Sequence, residues 1–308
     1  MVLSFFLKEL TKKPNRKLCP DFMCMHAYIS LQMMLYAFSS EGVFMNVAVI
    51  GAGVIGSAIA KSLILSGYAG RVMATDKRPE QIDALNRLGV TATSDNKLAA
   101  EKADIIIMCV KPRDVENALK EIRNEIAGKI VISIAAAVSL GLLKKAAPEA
   151  KIVRAMPNLA ILVQESFTVY CVDRSMSPEE KEHAEKVLKA LGKAVEIDEQ
   201  WMDAITALSG CAPAYLSIIM EAMVHAGSEA GLPADIALAA SAQSMVGTGK
   251  LVLEAQKTPS AIKEMVTTPG GVTEEELKEL AKAPIGQIIT DAIKAGTAKS
   301  RKISQSLT

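Results

Sequence analysis

Met45–Gly56 reads MNVAVIGAGVIG. Its apolar run, Val47–Ile50, has strand length and breaks at Gly51-Ala52-Gly53-Val54-Ile55-Gly56. Helical composition follows over Ser57–Leu65 (SAIAKSLIL). Strand, tight glycine turn and helix is the context in which G-x-G-x-x-G becomes informative. Gly51 permits the turn, Gly53 lets backbone approach a pyrophosphate, and Gly56 lets the helix pack on the strand. The helix start, with Val54 and Ile55, offers free N–H groups and a positive dipole end to an anion. The next apolar run, Arg71–Thr75, ends at Asp76, twenty residues past Gly56, where a ribose-binding acid is expected. A glycine turn without a ligand is the competing reading; the context favours a dinucleotide site.

The chain has 308 residues, enough for a substantial core and about two domains. Lys and Arg (35) nearly balance Asp and Glu (34), so no basic excess points to nucleic acid. Aromatic residues are 4%, and the wealth of Ala, Leu, Ile and Met favours helix-rich α/β packing. The five cysteines are scattered, and Cys19 and Cys24 have no second pair to complete a zinc site. Reduced thiols in a cytoplasmic protein are the simplest account, and no metal site is expected.

Residues 1–44 differ in character from the remainder of the chain. Their apolar stretch, DFMCMHAYISLQMMLYAF, is interrupted by Asp21, His26, Ser30 and Gln32, which makes a poor transmembrane helix. It also lies too far into the chain for an ordinary signal segment. The preferred reading is an upstream extension, with Met45 as the true start; an amphipathic extension packed on a partner is the alternative. No membrane association is expected.

From Met45 short apolar runs alternate with helical segments. Arg71–Thr75, Val90–Thr93, Asp104–Val110, Lys129–Ile134 and Lys151–Ala155 read as strands. Pro79–Leu88, Asp114–Glu125 and Ser139–Ala146 read as the intervening helices. Phe167–Val172 and Ala194–Ile197 read as two further edge strands around a capped helix, Ser177–Leu191. Such β-α repetition implies right-handed crossovers and a parallel sheet. After Trp201 helical periodicity takes over: Ala212–Ala230, Pro233–Ala255, Thr258–Met265, Glu274–Ala281 and Pro284–Ile303. AYLSIIMEAMVHA and ADIALAASAQSMVG are apolar round most of their circumference, more than one small domain can bury. The expectation is an α/β chain: an N-terminal Rossmann-like doubly wound sheet (45–200), then an all-α C-terminal dimerisation and substrate-binding domain (201–308) forming an intertwined homodimer.

The landmarks GAGVIG, CVKP (Cys109–Pro112), SIAAAVS (Ser133–Ser139), RAMPN (Arg154–Asn158), LSGCAPAY (Leu208–Tyr215), GLP (Gly231–Pro233) and VTTPGGVT (Val266–Thr273) come in that order. Together the chain from about Met45 to Arg301 resembles the pyrroline-5-carboxylate reductase family. The resemblance implies reduction of a cyclic imine bearing a carboxylate, with hydride from a nicotinamide cofactor. It places Val110, Lys111 and Pro112 beneath the nicotinamide ribose, Ala135 and Asn158 near the nicotinamide, and Asn96 at the adenosine end. It also implies a homodimer or a larger ring of dimers.

TPGGVT suits a carboxylate: Gly270 and Gly271 allow a tight turn with exposed N–H groups, and Thr273 reads as the cap of TEEELKEL in a capping box with Glu276. By resemblance Thr273 hydrogen-bonds the substrate's ring nitrogen or carboxylate, and Thr268 holds a position usually taken by serine. Read alone, Thr273 only caps a helix. Cofactor choice rests on Asp76-Lys77-Arg78. Asp76 favours NADH, while Lys77 and Arg78 pull toward NADPH. The habit of the family favours NADPH, with NADH (NAD) as the alternative to NADP.

The chain departs from the family pattern on the substrate side. Leu159-Ala160-Ile161 replaces Thr-Pro-Ala after MPN, and Cys211-Ala212 replaces a serine and a glycine. Competing readings are a paralogue reducing another imine, a 3-hydroxyacid dehydrogenase, and a dinucleotide-binding regulatory protein. The dehydrogenase would need a lysine on the long helix, and Ala212–Glu229 has none.

Overall fold

The computed structural model describes residues 45–67 and 69–307. The extension 1–44, with Cys19 and Cys24, lies outside the described residues. Eight strands form one sheet: β1 (Met45–Ile50), β2 (Ala69–Thr75), β3 (Thr91–Thr93), β4 (Ile105–Met108), β5 (Ile130–Ser133), β6 (Lys151–Met156), β7 (Ser166–Val172) and β8 (Gly192–Glu196), in the order β3-β2-β1-β4-β5-β6-β7-β8. The order reverses between β1 and β4, which pair in parallel from Val47↔Ile105 to Ile50↔Met108. That reversal opens a crevice at the strand C-termini, the place where such sheets hold ligands.

β4 is IIIM, wholly buried, because helices cover both faces of the sheet. Alternate strand residues feed the two sides. Val47, Val49, Ile105 and Ile107 pack with Ile59 and Leu63 of α1 (Val54–Leu65). Ala48, Ile50, Ile106 and Met108 face the opposite side. There they meet Ala99 and Ala100 of α3 (Asn96–Glu101), Val115 and Leu119 of α4 (Val115–Glu121), and Leu143 of α5 (Leu140–Ala146). Between α1 and α3, α2 (Pro79–Arg87) opens on proline as its sequence indicates.

Three details differ from the sequence reading. β7 is an interior strand, antiparallel to β6 and parallel to β8, so only β8 of that pair forms an edge. Nine residues join Met156 to Ser166, too few for a parallel crossover, which takes roughly a dozen or more. The link coils as a 3₁₀ turn, Leu159–Val163, ending on Gln164 at φ 60°. The short helix α3 was not legible as a helix, and the segment after Lys111 is a 3₁₀ turn, Pro112–Asp114, followed by the shorter α4. α6 (Pro178–Lys189) starts as its sequence indicates. Glu180 N–H donates to Ser177 Oγ at 3.2 Å and Ser177 N–H donates to Glu180 Oε2 at 2.7 Å.

Past Trp201 the described residues are helical: α7 (Met202–Ile205), a π turn (Thr206–Gly210), α8 (Ala212–Glu229), α9 (Ala234–Leu253), α10 (Pro259–Val266), α11 (Val272–Leu280) and α12 (Ile285–Leu307). α8 packs on α9. α12 first meets α7, where Ser300 Oγ donates to Asp203 Oδ1 at 2.6 Å, and then returns to the sheet domain, where Leu307 packs on the core beneath α4 and α5. Two segments, Glu199–Glu229 and Ala234–Leu253, are by length and composition apolar enough to cross a bilayer.

Candidate active site

The β1–α1 turn is shaped by its glycines. Gly51, at φ +95°, hands its N–H to Thr75 O at 3.1 Å, and Ala52 N–H donates to the same carbonyl at 2.7 Å. A Cβ on Gly51 would stand 2.9 Å from Val110 Cγ1, so glycine is needed both for the conformation and for the approach of the chain after β4. A Cβ on Gly56 would run into the Gly51 carbonyl oxygen. Gly53 differs: a Cβ there meets nothing within 4 Å. That residue is the N-cap of α1, no side chain caps it, and the first turn holds no acid. With the Gly51 and Ala52 N–H groups committed to Thr75 O, it is the uncapped start of α1 at Gly53 that offers N–H groups beside the cavity, the arrangement a pyrophosphate requires. On these observations the residues fit a dinucleotide.

The cavity is a cleft of about 680 Å³ at the β1/β4 reversal. It gathers Gly51, Gly53, Asp76, Lys77, Asn96, Val110 and Lys111. Other expected residues stand around it without lining it. Gly56 packs inside the turn, Val54 is exposed, and Ile55 leans on the core. Pro112 opens the 3₁₀ turn after Lys111, and Ala135 is buried past the end of β5. Asn158 makes a joint instead: its Nδ2 donates to Ser209 O and Oγ at 3.3 Å, and its Oδ1 accepts from Ala160 N–H at 3.1 Å. It thus ties the end of β6 to the π turn that follows α7 in the helical half.

Arg78, weighed in the sequence for nucleotide choice, lines the cleft as well, and so do three residues the sequence reading missed: Ser94, Asn117 and Glu121. Asn117 and Glu121 stand one helical turn apart on α4, and Glu121 Oε2 accepts from Asn96 Nδ2 at 3.0 Å. Asp95, whose Oδ1 accepts from Leu98 N–H at 3.0 Å, is the N-cap signal that would have placed α3 and its neighbours here. Asp76 is gripped by Arg78, and the guanidinium hydrogen-bonded to it holds its carboxyl below the ordinary value. The Cys109 thiol beside the turn is pushed well up by burial, so it stays protonated and inert.

The TPGGVT turn lies in the helical half. Gly270 is at φ +72°, Gly271 N–H donates to Thr268 O at 2.9 Å, and α11 starts at Val272 with Gly271 as its N-cap. This corrects the expected cap. Thr273 sits inside the first turn, and no box with Glu276 forms. The back-bond comes from the Glu274 carboxylate, whose Oε2 accepts from Gly270 N–H at 2.7 Å. The reason is steric: a Cβ at position 271 would strike Thr268 Oγ1, so the paired glycines set the helix start ahead of Thr273. The Thr273 hydroxyl forms no hydrogen bond among the described residues, and Thr268 is exposed.

Residues 199–303 match the family model described as pyrroline-5-carboxylate reductase dimerisation, and residues 46–137 match the one described as NADP oxidoreductase coenzyme F420-dependent. Over 265 residues the chain is 33% identical to a pyrroline-5-carboxylate reductase of Methanosarcina acetivorans, covering 84% of this chain and 98% of that one. The chain belongs to the pyrroline-5-carboxylate reductase family. The Arabidopsis thaliana member is 31% identical over 265 residues, 85% of this chain and 96% of its own. Among solved structures, the Coxiella burnetii pyrroline-5-carboxylate reductase superposes with a TM-score of 0.79 at 28% identity over 85% of this chain and 99% of its own. The Plasmodium falciparum enzyme, solved with NADP bound, gives 0.76 at 27% over 84% and 98%. The expected oxidoreductase fold and family stand, and the helical half is the dimerisation region of that family.

Proposed function

We propose that the chain reduces 1-pyrroline-5-carboxylate to L-proline with NADPH, or less favourably NADH, as a cytoplasmic homodimer able to assemble into a ring of dimers. The observation that carries this reading is the uncapped glycine turn at the sheet reversal, in a chain aligned with a reductase of this name over 98% of that relative's length. When bound, the nicotinamide supplies a hydride to the imine carbon. The chain's part is to bind and orient. Gly53 and the α1 N-terminus would hold the pyrophosphate and Val110 and Lys111 the ribose, with Pro112 fixing the chain behind them. The imine nitrogen is basic enough to arrive protonated, so no strong protein acid is required.

The carboxylate is held by the Gly270–Gly271 turn and the N-terminus of α11, with the free Thr273 hydroxyl reaching the ring nitrogen or carboxylate and Thr268 beside it. No residue from Ala242 to Lys299 is buried. This turn therefore works best from across a dimer interface, facing the cleft of the second copy. The same pairing gives the two long apolar helices a protein partner in place of a membrane.

A second reading comes from Leu159, Ala160, Cys211 and Ala212. Leu159 and Cys211 are exposed, and Cys211 is the N-cap of α8 with no side-chain cap bond. A paralogue acting on another imine would differ at these positions. Following nicotinamide fluorescence with NADPH and with NADH, before and after adding 1-pyrroline-5-carboxylate, separates the cases. Rapid oxidation with that substrate supports the proposal. Oxidation only with another cyclic imine supports the paralogue, and binding without oxidation a regulatory protein.

A further inference from the structure

Asp76 follows β2 at the mouth of the cleft, where an acid ordinarily accepts the hydroxyls of an adenosine ribose. Here those acceptors are already engaged. Oδ1 receives both the backbone N–H and Nε of Arg78 at 2.9 Å, and Oδ2 receives Nη2 at 2.9 Å. A carboxylate oxygen has about two lone-pair sites, so Oδ1 is saturated and Oδ2 has one direction left. The Asp76 side chain is 10% exposed and that of Arg78 is 55%, so the guanidinium covers the carboxylate from solvent. Lys77 lines the same cleft and has no ion-pair partner among the described residues. The trio thus offers a net positive charge where its sequence suggests an acid.

Resting on the dinucleotide reading, we propose that Arg78 masks Asp76 and thereby sets nucleotide preference. It withholds the carboxylate from a ribose diol and cancels the repulsion that would exclude a 2′-phosphate. The phosphate then lies against the Lys77 ammonium. Arg78 is in this sense a positioning residue, acting through Asp76. The two-residue spacing makes the mask possible: the chain turns out of β2 into α2 at Arg78, which folds its side chain back over the strand end.

Calorimetric titration with ADP-ribose and with 2′-phospho-ADP-ribose reads this pocket without nicotinamide, imine or turnover. The native chain should favour the phosphorylated fragment by roughly tenfold or more, the scale of one charge-assisted hydrogen bond. Arg78→Ala uncovers Asp76, so ADP-ribose should tighten and the phosphorylated fragment weaken, reversing the order. Adding Asp76→Asn to that variant removes the uncovered charge and should restore the phosphate preference through Lys77. If Arg78 were only a phosphate ligand, Arg78→Ala would weaken the phosphorylated fragment with no gain for ADP-ribose and no rescue by Asp76→Asn; that result overturns the proposal. Equal affinities for both fragments in native chain and variant also overturn it. Failure of the reductase reading would leave these titrations unaffected, since neither fragment reaches the reacting end.

Discussion

From Met45 to Trp201 the chain hides most of its apolar residues; from Met202 to Leu307 it displays most of them. The sheet half buries every side chain of β4 and β5 and the inner faces of the helices around them. The helical half buries only Met202, Ala207, Ala237, Ser241 and Ser300. Ile218 on α8 is 67% exposed and Val246 on α9 is 52% exposed. A sheet covered on both faces carries its own partners, because each crossover returns a helix to the strand it left. Two apolar helices packed on one another still leave their outer faces wet, at roughly 25 cal/mol for each Å² of apolar surface. One half is finished within the chain and the other is completed by association, consistent with its match to a dimerisation model.

Charging the outer face of α8 is the sharpest way to break this contrast. Ile218→Glu enters a twofold interface twice, and each buried charge should cost at least about 2 kcal/mol, so the dimer dissociation constant should rise by roughly a thousandfold. Light scattering should show monomers and reductase turnover should collapse, while NADPH binding changes by no more than about twofold. A variant that stays dimeric with full turnover would place the interface elsewhere. Gly56→Ala strikes the other half. Its methyl meets the Gly51 carbonyl and approaches Cys109 Cβ, so the turn must shift, at about 1–3 kcal/mol of stability. NADPH affinity should fall with the melting temperature while the oligomer persists. Normal affinity would mean the turn is not the pyrophosphate cradle.

Thr273→Ala is a smaller perturbation and tests whether the two halves meet. The lost hydroxyl should raise the KM for the imine and lower kcat, reducing kcat/KM by roughly five- to twentyfold at unchanged NADPH affinity. An unaltered kcat/KM would remove Thr273 from the site. A fall that is rescued by mixing with a chain carrying Gly56→Ala would show that turn and cleft come from different copies.

The sheet half was the more legible because its signals are local. Strand, G-x-G-x-x-G and helix follow one another within a single unit, and Gly56 answers first to a contact inside it, the Gly51 carbonyl; the Val110 contact that also requires Gly51 comes from beyond it. The orientation of β7 was less so, since an apolar strand carries no arrow. The arithmetic of its link to β6 would have supplied one. At the site, Asp76 is a case of correct position with unexpected state: sequence places an acid after β2, but only geometry reveals that Arg78 has claimed it. Thr273 was misplaced as a cap for a comparable reason. T-x-x-E is a real capping signal, and the paired glycines ahead of it compete for the helix start and win on sterics. The helical half reads clearly as helices, yet what covers them is not found among the described residues, and no periodicity within a helix names its partner.

The smallest effect is expected from the stretch ahead of β1. The 265 residues aligned with the Methanosarcina acetivorans reductase make up 98% of that relative, and they account for 84% of this chain. The relative thus completes the shared fold with almost nothing left over to serve as a counterpart of an extension. Within the described residues, Met45 enters the sheet beside Ala69, and Asn46 N–H is satisfied by Asp104 Oδ2 at 2.8 Å, so the first strand is anchored from its own start. Removing residues 1–44 should therefore shift stability by less than about 1 kcal/mol, within the range of surface changes. Denaturant midpoint and kcat/KM are the measurements. Loss of soluble protein on deletion would mean that the extension covers an apolar face of the helical half, and the division between a finished half and an unfinished one would have to be redrawn to include it.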